Sequence, residues 1–315
     1  MIDLTLLAFG IAGLWIGTLL AVRGAVGLSE RLGLSHGFIG LAVLSVGTDL
    51  PELVVAVDGS IRQLGGVEAS GLIVGSAVGS AMVQGSLVLG VAGLVAYLPS
   101  GPKMMRRYGS TLFFSIGLLA LLGFDGVVTR TDGLILLGVF GLYFAALFKL
   151  ERRKEGAEEL PVAGGLSPGL ATVLGMVAVV AGAHMVVEGA VSLAEELGMS
   201  QTLLAVIFVG AGTSLPELAL STRAAAERHA SLSVANVVGS NIFDLLVPVG
   251  VAAVIHPVLV EPETLRWDLP AVAVATLALI VFMTRTRGLQ KREAWVLIAL
   301  YVAFVVVRVG TAGQP

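Results

Sequence analysis

The sequence predicts an all-α membrane protein: ten transmembrane helices arranged as two inverted five-helix repeats, with the second and seventh helices broken. Three observations lead there. The 315 residues are 56% hydrophobic and only 13% charged, with 41 glycines and a mean hydropathy of +0.96, a composition suited to lipid rather than water. One seven-residue phrase is written twice, GTDLPEL over 47–53 and GTSLPEL over 212–218, each inside a long apolar stretch. The basic residues concentrate on alternate connections between those stretches.

A membrane-crossing helix needs about 20 predominantly apolar residues, and ten intervals qualify. The first, 3–29, begins Met-Ile-Asp without a basic segment ahead of its apolar run, so it reads as a retained span and not a cleaved leader. The second, 37–61, carries the first phrase with Asp49 and Glu52 near its centre. The third, 70–99, contains GSAVGSAMVQGSLVLG, and the fourth and fifth, 109–125 and 131–150, are apolar throughout. Residues 151–165, ERRKEGAEELPVAGG, are the one hydrophilic stretch of any length and read as a linker. Beyond it come 167–194, then 201–224 with the second phrase and Glu217, 231–256 with Asp244, 268–285 and 293–311. A β-barrel would need short alternating segments in place of these continuous runs.

The halves, 1–150 and 166–315, repeat each other. Gly24, Ala25, Val26, Glu30, Leu32, Gly33 and Ser35 recur 165 positions later as Gly189, Ala190, Val191, Glu195, Leu197, Gly198 and Ser200, and the run 75–90 matches ANVVGSNIFDLLVPVG over 235–250 at an offset of 160. With the N-terminus outside, all of the 19 basic residues except Arg62, Arg130, Arg266 and Arg308 fall on the inner side, as the positive-inside rule requires. Both termini are therefore expected outside, with 151–165 cytoplasmic. Five spans per half is an odd number, so the second half enters the membrane in the opposite sense, an architecture frequent in transporters.

The chemistry lies in what interrupts the apolar runs. An ionised side chain at that depth costs roughly 2.5–3.5 kcal/mol or more, and Asp49, Glu52, Glu217 and Asp244 have no intramembrane Lys or Arg to offset them. Bound metal cations or protons are the implied partners. The blander reading is a capping box, Asp49-x-x-Glu52 and Ser214-x-x-Glu217, but a cap at mid-membrane means that the helix is broken there. Pro51 and Pro216 leave the carbonyls of Gly47 and Gly212 without helical donors, and such carbonyls are tolerated at membrane depth only inside protein or along a cavity.

Oxygen is the only ligand type on offer: the four carboxylates, the hydroxyls of Thr48, Thr213, Ser214, Ser80 and Ser240, the amides of Gln84 and Asn241, and backbone carbonyls. That set suits Ca2+ and, by the same hardness argument, Na+; zinc or copper would recruit His or Cys. The chain has no cysteine, and His36, His229 and His256 sit at span ends. His184 and Glu188, one turn apart, read as an ordinary hydrogen-bonded pair. Gly71, Gly75, Gly79 and Gly239 have a packing rationale, since small residues let membrane helices approach closely. A net charge of -3 spread over loops and site gives no footprint for nucleic acid, and no obligate protein partner or cofactor is indicated.

These motifs resemble those of the cation/Ca2+ antiporters, and specifically the Na+/Ca2+ exchangers of prokaryotic type. GTDLPE and GTSLPE are similar to that family's paired Gly-Thr-Ser-Leu-Pro-Glu motifs, and VGSAMVQ and VGSNIFD to the Gly-Ser-Asn motifs that follow. The resemblance implies alternating access in a prokaryotic cell membrane, with one central cluster taking either Na+ or Ca2+ as the first and sixth spans slide past the core. It implies Glu52 and Glu217 as the main Ca2+ carboxylates, and Asp244 and Gln84 as the pair from the third and eighth spans. Thr48, Thr213, Ser214, Ser80 and Ser240 become Na+ ligands, and Ser45 and Gly210 supply backbone carbonyls. Asp49 stands where the family has Ser, Ala81 where it has Asn, and Gln84 where it has Asn or Asp. The extra carboxylate is expected to carry a proton for part of the cycle or to admit another cation, which makes H+ or K+ further candidate partners. Two other classes fit less well. Inverted repeats favour alternating access over a passive channel, and an intramembrane aspartyl protease would lack its Gly-x-Gly-Asp phrase and leave both glutamates idle.

Overall fold

The computed structural model describes residues 2–34, 36–99, 102–151, 167–196, 212, 214–285 and 287–311. The chain starts with one long helix, α1 (Ile2–Leu32). The next interval is interrupted: α2 (His36–Ile39), a π-helical turn π1 (Gly40–Leu44), α3 (Ser45–Thr48) and, past a break at Asp49, α4 (Leu50–Leu64). Then come α5 (Ser70–Met82), π2 (Val83–Val88) and α6 (Leu89–Val95), followed by α7 (Pro102–Leu122) and α8 (Arg130–Glu151). The second half holds α9 (Pro168–Glu196), α10 (Leu215–Ala226), α11 (Ala230–Ile255), a turn π3 (Thr264–Asp268) leading into α12 (Leu269–Arg285), and α13 (Lys291–Thr311).

A helix stands in each of the ten expected intervals. Among the described residues, five helices are long and apolar enough on their own to cross a membrane, and the pair Gly40–Thr48 and Leu50–Leu64, bent by 48° at Asp49, makes a sixth. Linker residues 152–165 and residues 201–211 of the seventh interval lie outside the described residues. Large apolar side chains such as Trp15, Leu121, Phe124 and Leu142 point outward, each at least two-thirds exposed. A rim of that kind is what lipid would cover.

The core is built round α11. It is buried on every side, its apolar run interrupted by Ser233, Asn236, Ser240, Asn241 and Asp244, and packs against α4, α5, α7, α8, α10 and π1. Gly239 permits one close approach, because a Cβ there would lie 2.9 Å from the Leu41 carbonyl oxygen. Gly75 and Gly79 do not serve that purpose: a Cβ on either meets nothing within 4 Å. Their spacing reads as a packing motif, but they sit on the side of α5 that faces away from its neighbours.

α1 and α9 form a separate antiparallel pair. Gly13 faces Gly182, Gly17 faces Val179, Gly24 faces Thr172 and Gly27 faces Pro168, so the numbering runs in opposite directions along the contact. The approach is backbone to backbone: a Cβ on Gly17 would sit 2.7 Å from the Val179 nitrogen, and one on Gly24 or Gly175 would collide with the backbone of Thr172 or Ala21. Among the described residues, this pair touches the rest of the molecule far less than its two helices touch each other.

Two short antiparallel pairings tie loops of the first half to loops of the second. β1 (Leu98–Pro99) pairs with β4 (Gly288–Leu289), and β2 (Val127–Val128) pairs with β3 (Val258–Leu259). β1 follows the third helical interval and β3 the eighth; β2 follows the fourth and β4 the ninth. Each pairing therefore joins non-equivalent loops of the two halves, and the two pairings are counterparts of each other. Tyr97 reinforces the first by donating its hydroxyl to the Arg287 carbonyl over 2.9 Å.

Candidate functional site

The two copies of the repeated phrase take the same local shape. Asp49 has φ −86° and ψ 5°, and its counterpart Ser214 has φ −89° and ψ 5°, both in the sparsely populated bridge between helix and strand. α4 and α10 each start there with Leu-Pro-Glu, placing proline in the first turn, where a missing N–H costs nothing. Neither Asp49 nor Ser214 spends its side chain on a cap. The capping-box pattern is present in the letters and absent from the geometry, because both side chains turn into the protein interior. Gly47, whose carbonyl Pro51 deprives of a donor, lies against Met176 of α9, and a Cβ there would strike the thioether sulfur.

Asp49, Glu52 and Glu217 are buried at the starts of α4 and α10, with polar groups of α5, π2 and α11 buried nearby. Asp49, Glu52, Glu217, Asp244, Gln84, Thr48, Ser45, Ser80, Ser214 and Ser240 are all 0–1% exposed. Ser80 Oγ donates to Glu52 Oε1 over 3.3 Å. Gln84 Nε2 donates to Asp244 Oδ2 over 3.0 Å, so residues at equivalent positions in the two halves touch each other. Gln84 gains its aim from π2, a widened turn of the kind that collects at functional sites; the second half instead has Pro248 inside the regular helix α11. The Glu217 carboxyl stands beside the Asp49 carboxyl and the Thr48 hydroxyl. Thr48 Oγ1 itself donates to the carbonyls of Leu44 (3.1 Å) and Ser45 (3.3 Å). The Ser45 carbonyl also accepts the Asp49 amide over 3.0 Å, so an ion at that oxygen would share it with both donors.

Many of these buried oxygens find no donor among the described residues: both of Asp49, both of Glu217, Asp244 Oδ1, Gln84 Oε1, Asn241 Oδ1, Ser214 Oγ and Ser240 Oγ. Leaving one such group unsatisfied costs roughly 1–3 kcal/mol, more when it is charged. The nearest arginines are engaged elsewhere, Arg62 with Asp58 at 2.7 Å and Arg223 with Glu227 at 2.6 Å. Among the described residues no three acidic or imidazole groups converge on one point, so a cation here would draw on carboxylates, hydroxyls, amides and carbonyls together. That mixed oxygen shell suits hard cations. Two expected contributors, Thr213 and Gly210, lie outside the described residues, as does the Glu188 side chain; His184 is exposed.

The proline breaks yield a first expected result. Pro216→Ala permits a straighter helix through Ser214 and should cut ion transport roughly tenfold or more by moving Glu217 off its partners. Thermal stability should hold, and the two readings together, flux and melting, check it.

Two features of this site carry no sequence signal that reading the motifs exposed. One is Met176, which touches the first break from α9. The other is Pro248, four residues after Asp244, which removes the helical donor to the Asp244 carbonyl. A proline inside a 26-residue apolar helix was the available clue to the second.

The family model for the sodium/calcium exchanger protein matches residues 2–149 and 168–310. The chain is 28% identical to the sodium/calcium exchanger MaX1 of Methanosarcina acetivorans, over 97% of this chain and 98% of that one. It is also 30% identical to the inner membrane protein YrbG of Escherichia coli, over 75% of this chain and 74% of that one. In fold it is similar to the sodium-calcium exchanger NCX_Mj, with a TM-score of 0.83 at 24% identity and coverage of 97% and 98%. MaX1 and NCX_Mj are exchangers, and so transporters and not enzymes. With both halves matched on either side of the linker, the chain belongs to the sodium/calcium exchanger family.

Proposed function

We propose that this protein is a secondary active antiporter that exchanges Na+ for Ca2+ by alternating access at the central oxygen cluster. The observation that carries the reading is the convergence, from both repeated phrases, of buried carboxylate, amide and hydroxyl oxygens that lack donors among the described residues. Such oxygens invite a cation, and their doubled origin gives a site shared by two halves. In this reading Glu52 and Glu217 are the principal Ca2+ carboxylates and Asp244 with Gln84 bridges the halves. Thr48, Thr213, Ser214, Ser80, Ser240, Asp49 and the carbonyls of Ser45 and Gly210 complete the Na+ and Ca2+ shells, and no resident cofactor takes part. The ten spans form two inverted repeats, 1–150 and 166–315, joined by a cytoplasmic linker, with both termini outside.

The packing supports a mobile part and a fixed part. α1 and α9 grip each other through glycines and rest lightly on the remainder. The β1–β4 and β2–β3 pairings fasten the other helices across the two halves. Sliding of the α1–α9 pair past that frame would expose the cluster to each side in turn.

One observation favours a variation in the coupling ion. Asp49 puts a carboxyl beside Glu217 where the family motif has a hydroxyl, so H+ or K+ joins the cycle in a second reading. Asp49→Ser is expected to flatten the pH dependence of Ca2+ uptake between mildly acidic and mildly alkaline pH, or to remove a K+ requirement. Identical pH profiles and identical K+ responses in the two proteins would leave plain Na+/Ca2+ exchange.

A further inference from the structure

One turn away from the central cluster, toward the face where α10 ends and α11 begins, lies a second set of buried polar groups. Ser221 follows Glu217 by four residues on α10, and Asn236 precedes Ser240 by four on α11, so each is displaced by about 6 Å along its helix. Asn236 Nδ2 donates to Ser221 Oγ over 3.3 Å, bridging the two helices. Ser233, three residues before Asn236, shares its face of α11. Ser221 and Ser233 are fully buried and Asn236 is 1% exposed. Asn236 Oδ1 and Ser233 Oγ find no hydrogen-bond partner among the described residues, which is unfavourable for buried polar atoms unless a ligand meets them.

Packing does not ask for these groups. The equivalent positions of the first half are Ala56, Ile73 and Ser76. Of these, Ala56 and Ile73 are apolar, and Ser76 closes its hydroxyl onto the Ile73 carbonyl of its own helix over 3.0 Å. The second half therefore carries three buried polar side chains where the first half has two apolar ones and a serine bonded within its own helix.

We infer that Asn236, Ser221 and Ser233 form a further cation site, one selective for a monovalent hard cation such as Na+, a single helical turn from the central cluster. The inference rests on the exchange reading above. The donors are neutral, and divalent affinity follows ligand charge, so Ca2+ has little reason to stop there. A monovalent ion satisfies the orphaned amide and hydroxyl oxygens, with water completing its shell. The site lies between Glu217 and the α10–α11 end of the molecule, so it serves ions moving to or from that face alone. The two faces consequently differ in how they receive Na+.

Equilibrium binding of radiolabelled Na+ to the purified full chain, with and without saturating Ca2+, tests this. Two classes of bound Na+ are expected in the wild type: one that Ca2+ displaces from the central cluster, and a residual one that it does not. Asn236→Ala and Ser233→Ala should each weaken the residual class about tenfold or more, as expected for loss of an oxygen from a small shell, with the displaceable class retained. Should Asn236→Ala fold poorly, Ser233→Ala, which removes a single hydroxyl, carries the same test. Complete release of Na+ by Ca2+, or a residual class that survives both variants, would overturn the site and leave a buried water at Asn236. A residual class abolished by both variants, in the absence of any Ca2+-displaceable Na+, would uphold this site and overturn the reading of the central cluster.

Discussion

Glu217→Gln is expected to reduce Ca2+ uptake on the order of 100-fold or more, because affinity for a hard divalent cation follows the charge of its ligands. The substitution keeps volume and shape, so the loss isolates the charge. Glu217 is fully buried, neither of its oxygens has a donor among the described residues, and it stands beside Asp49 and Thr48. Among the described residues nothing meets its negative charge. Removing it also relieves like-charge repulsion with Asp49 and Asp244, so the ion-free Glu217→Gln protein should melt no lower than the wild type. The added Tm that Ca2+ confers on the wild type should vanish, since stabilisation by a ligand scales with its affinity. Glu52→Gln should behave alike in uptake, although Ser80 already donates to that carboxyl. Near-normal flux in both variants would defeat the assignment.

The second large effect is expected at the α1–α9 contact. Gly175→Leu would drive a side chain into the backbone of α1 at Ala21; backbone cannot swing aside as a flexible side chain can. Overpacking of a tight contact typically costs about 1–3 kcal/mol, occasionally more. Here it should part the two helices that are proposed to move together, so uptake is lost while the fastened frame persists. Gly138→Leu is the matched control, since a Cβ at Gly138 meets nothing within 4 Å, and it should retain uptake and Tm. Equal damage from both substitutions would mean that bulk in a membrane helix, and not the contact, sets the outcome.

Much of this was legible because the chain states its central feature twice. The repeated Leu-Pro-Glu marks the break at Asp49 and the start of α10 at Leu215, and four carboxylates in apolar runs mark the polar interior. The offset of 160 paired Gln84 with Asp244 before any geometry did. What was not legible depends on distance between elements. Nothing in VQGSLV says that Gln84 rides on a π-helical turn, because that widening is set by packing against its neighbours and not by local propensity. Glycine spacing alone could not separate Gly239, which meets the Leu41 backbone, from Gly75 and Gly79, which face open space. The capping-box letters at Asp49 and Ser214 mark helix starts, but their side chains are not the caps. Met176 and Asn236 carry no motif at all; only the fold brings them to the breaks and to Ser221.

The most direct test of the central claim is uptake of radiolabelled Ca2+ into proteoliposomes, with an outward Na+ gradient and an outward H+ gradient imposed separately. Exchange at the central cluster predicts saturable uptake under the Na+ gradient that is absent without it and absent in Glu217→Gln. Uptake that ignores the Na+ gradient, or that proceeds unchanged in Glu217→Gln, would contradict it.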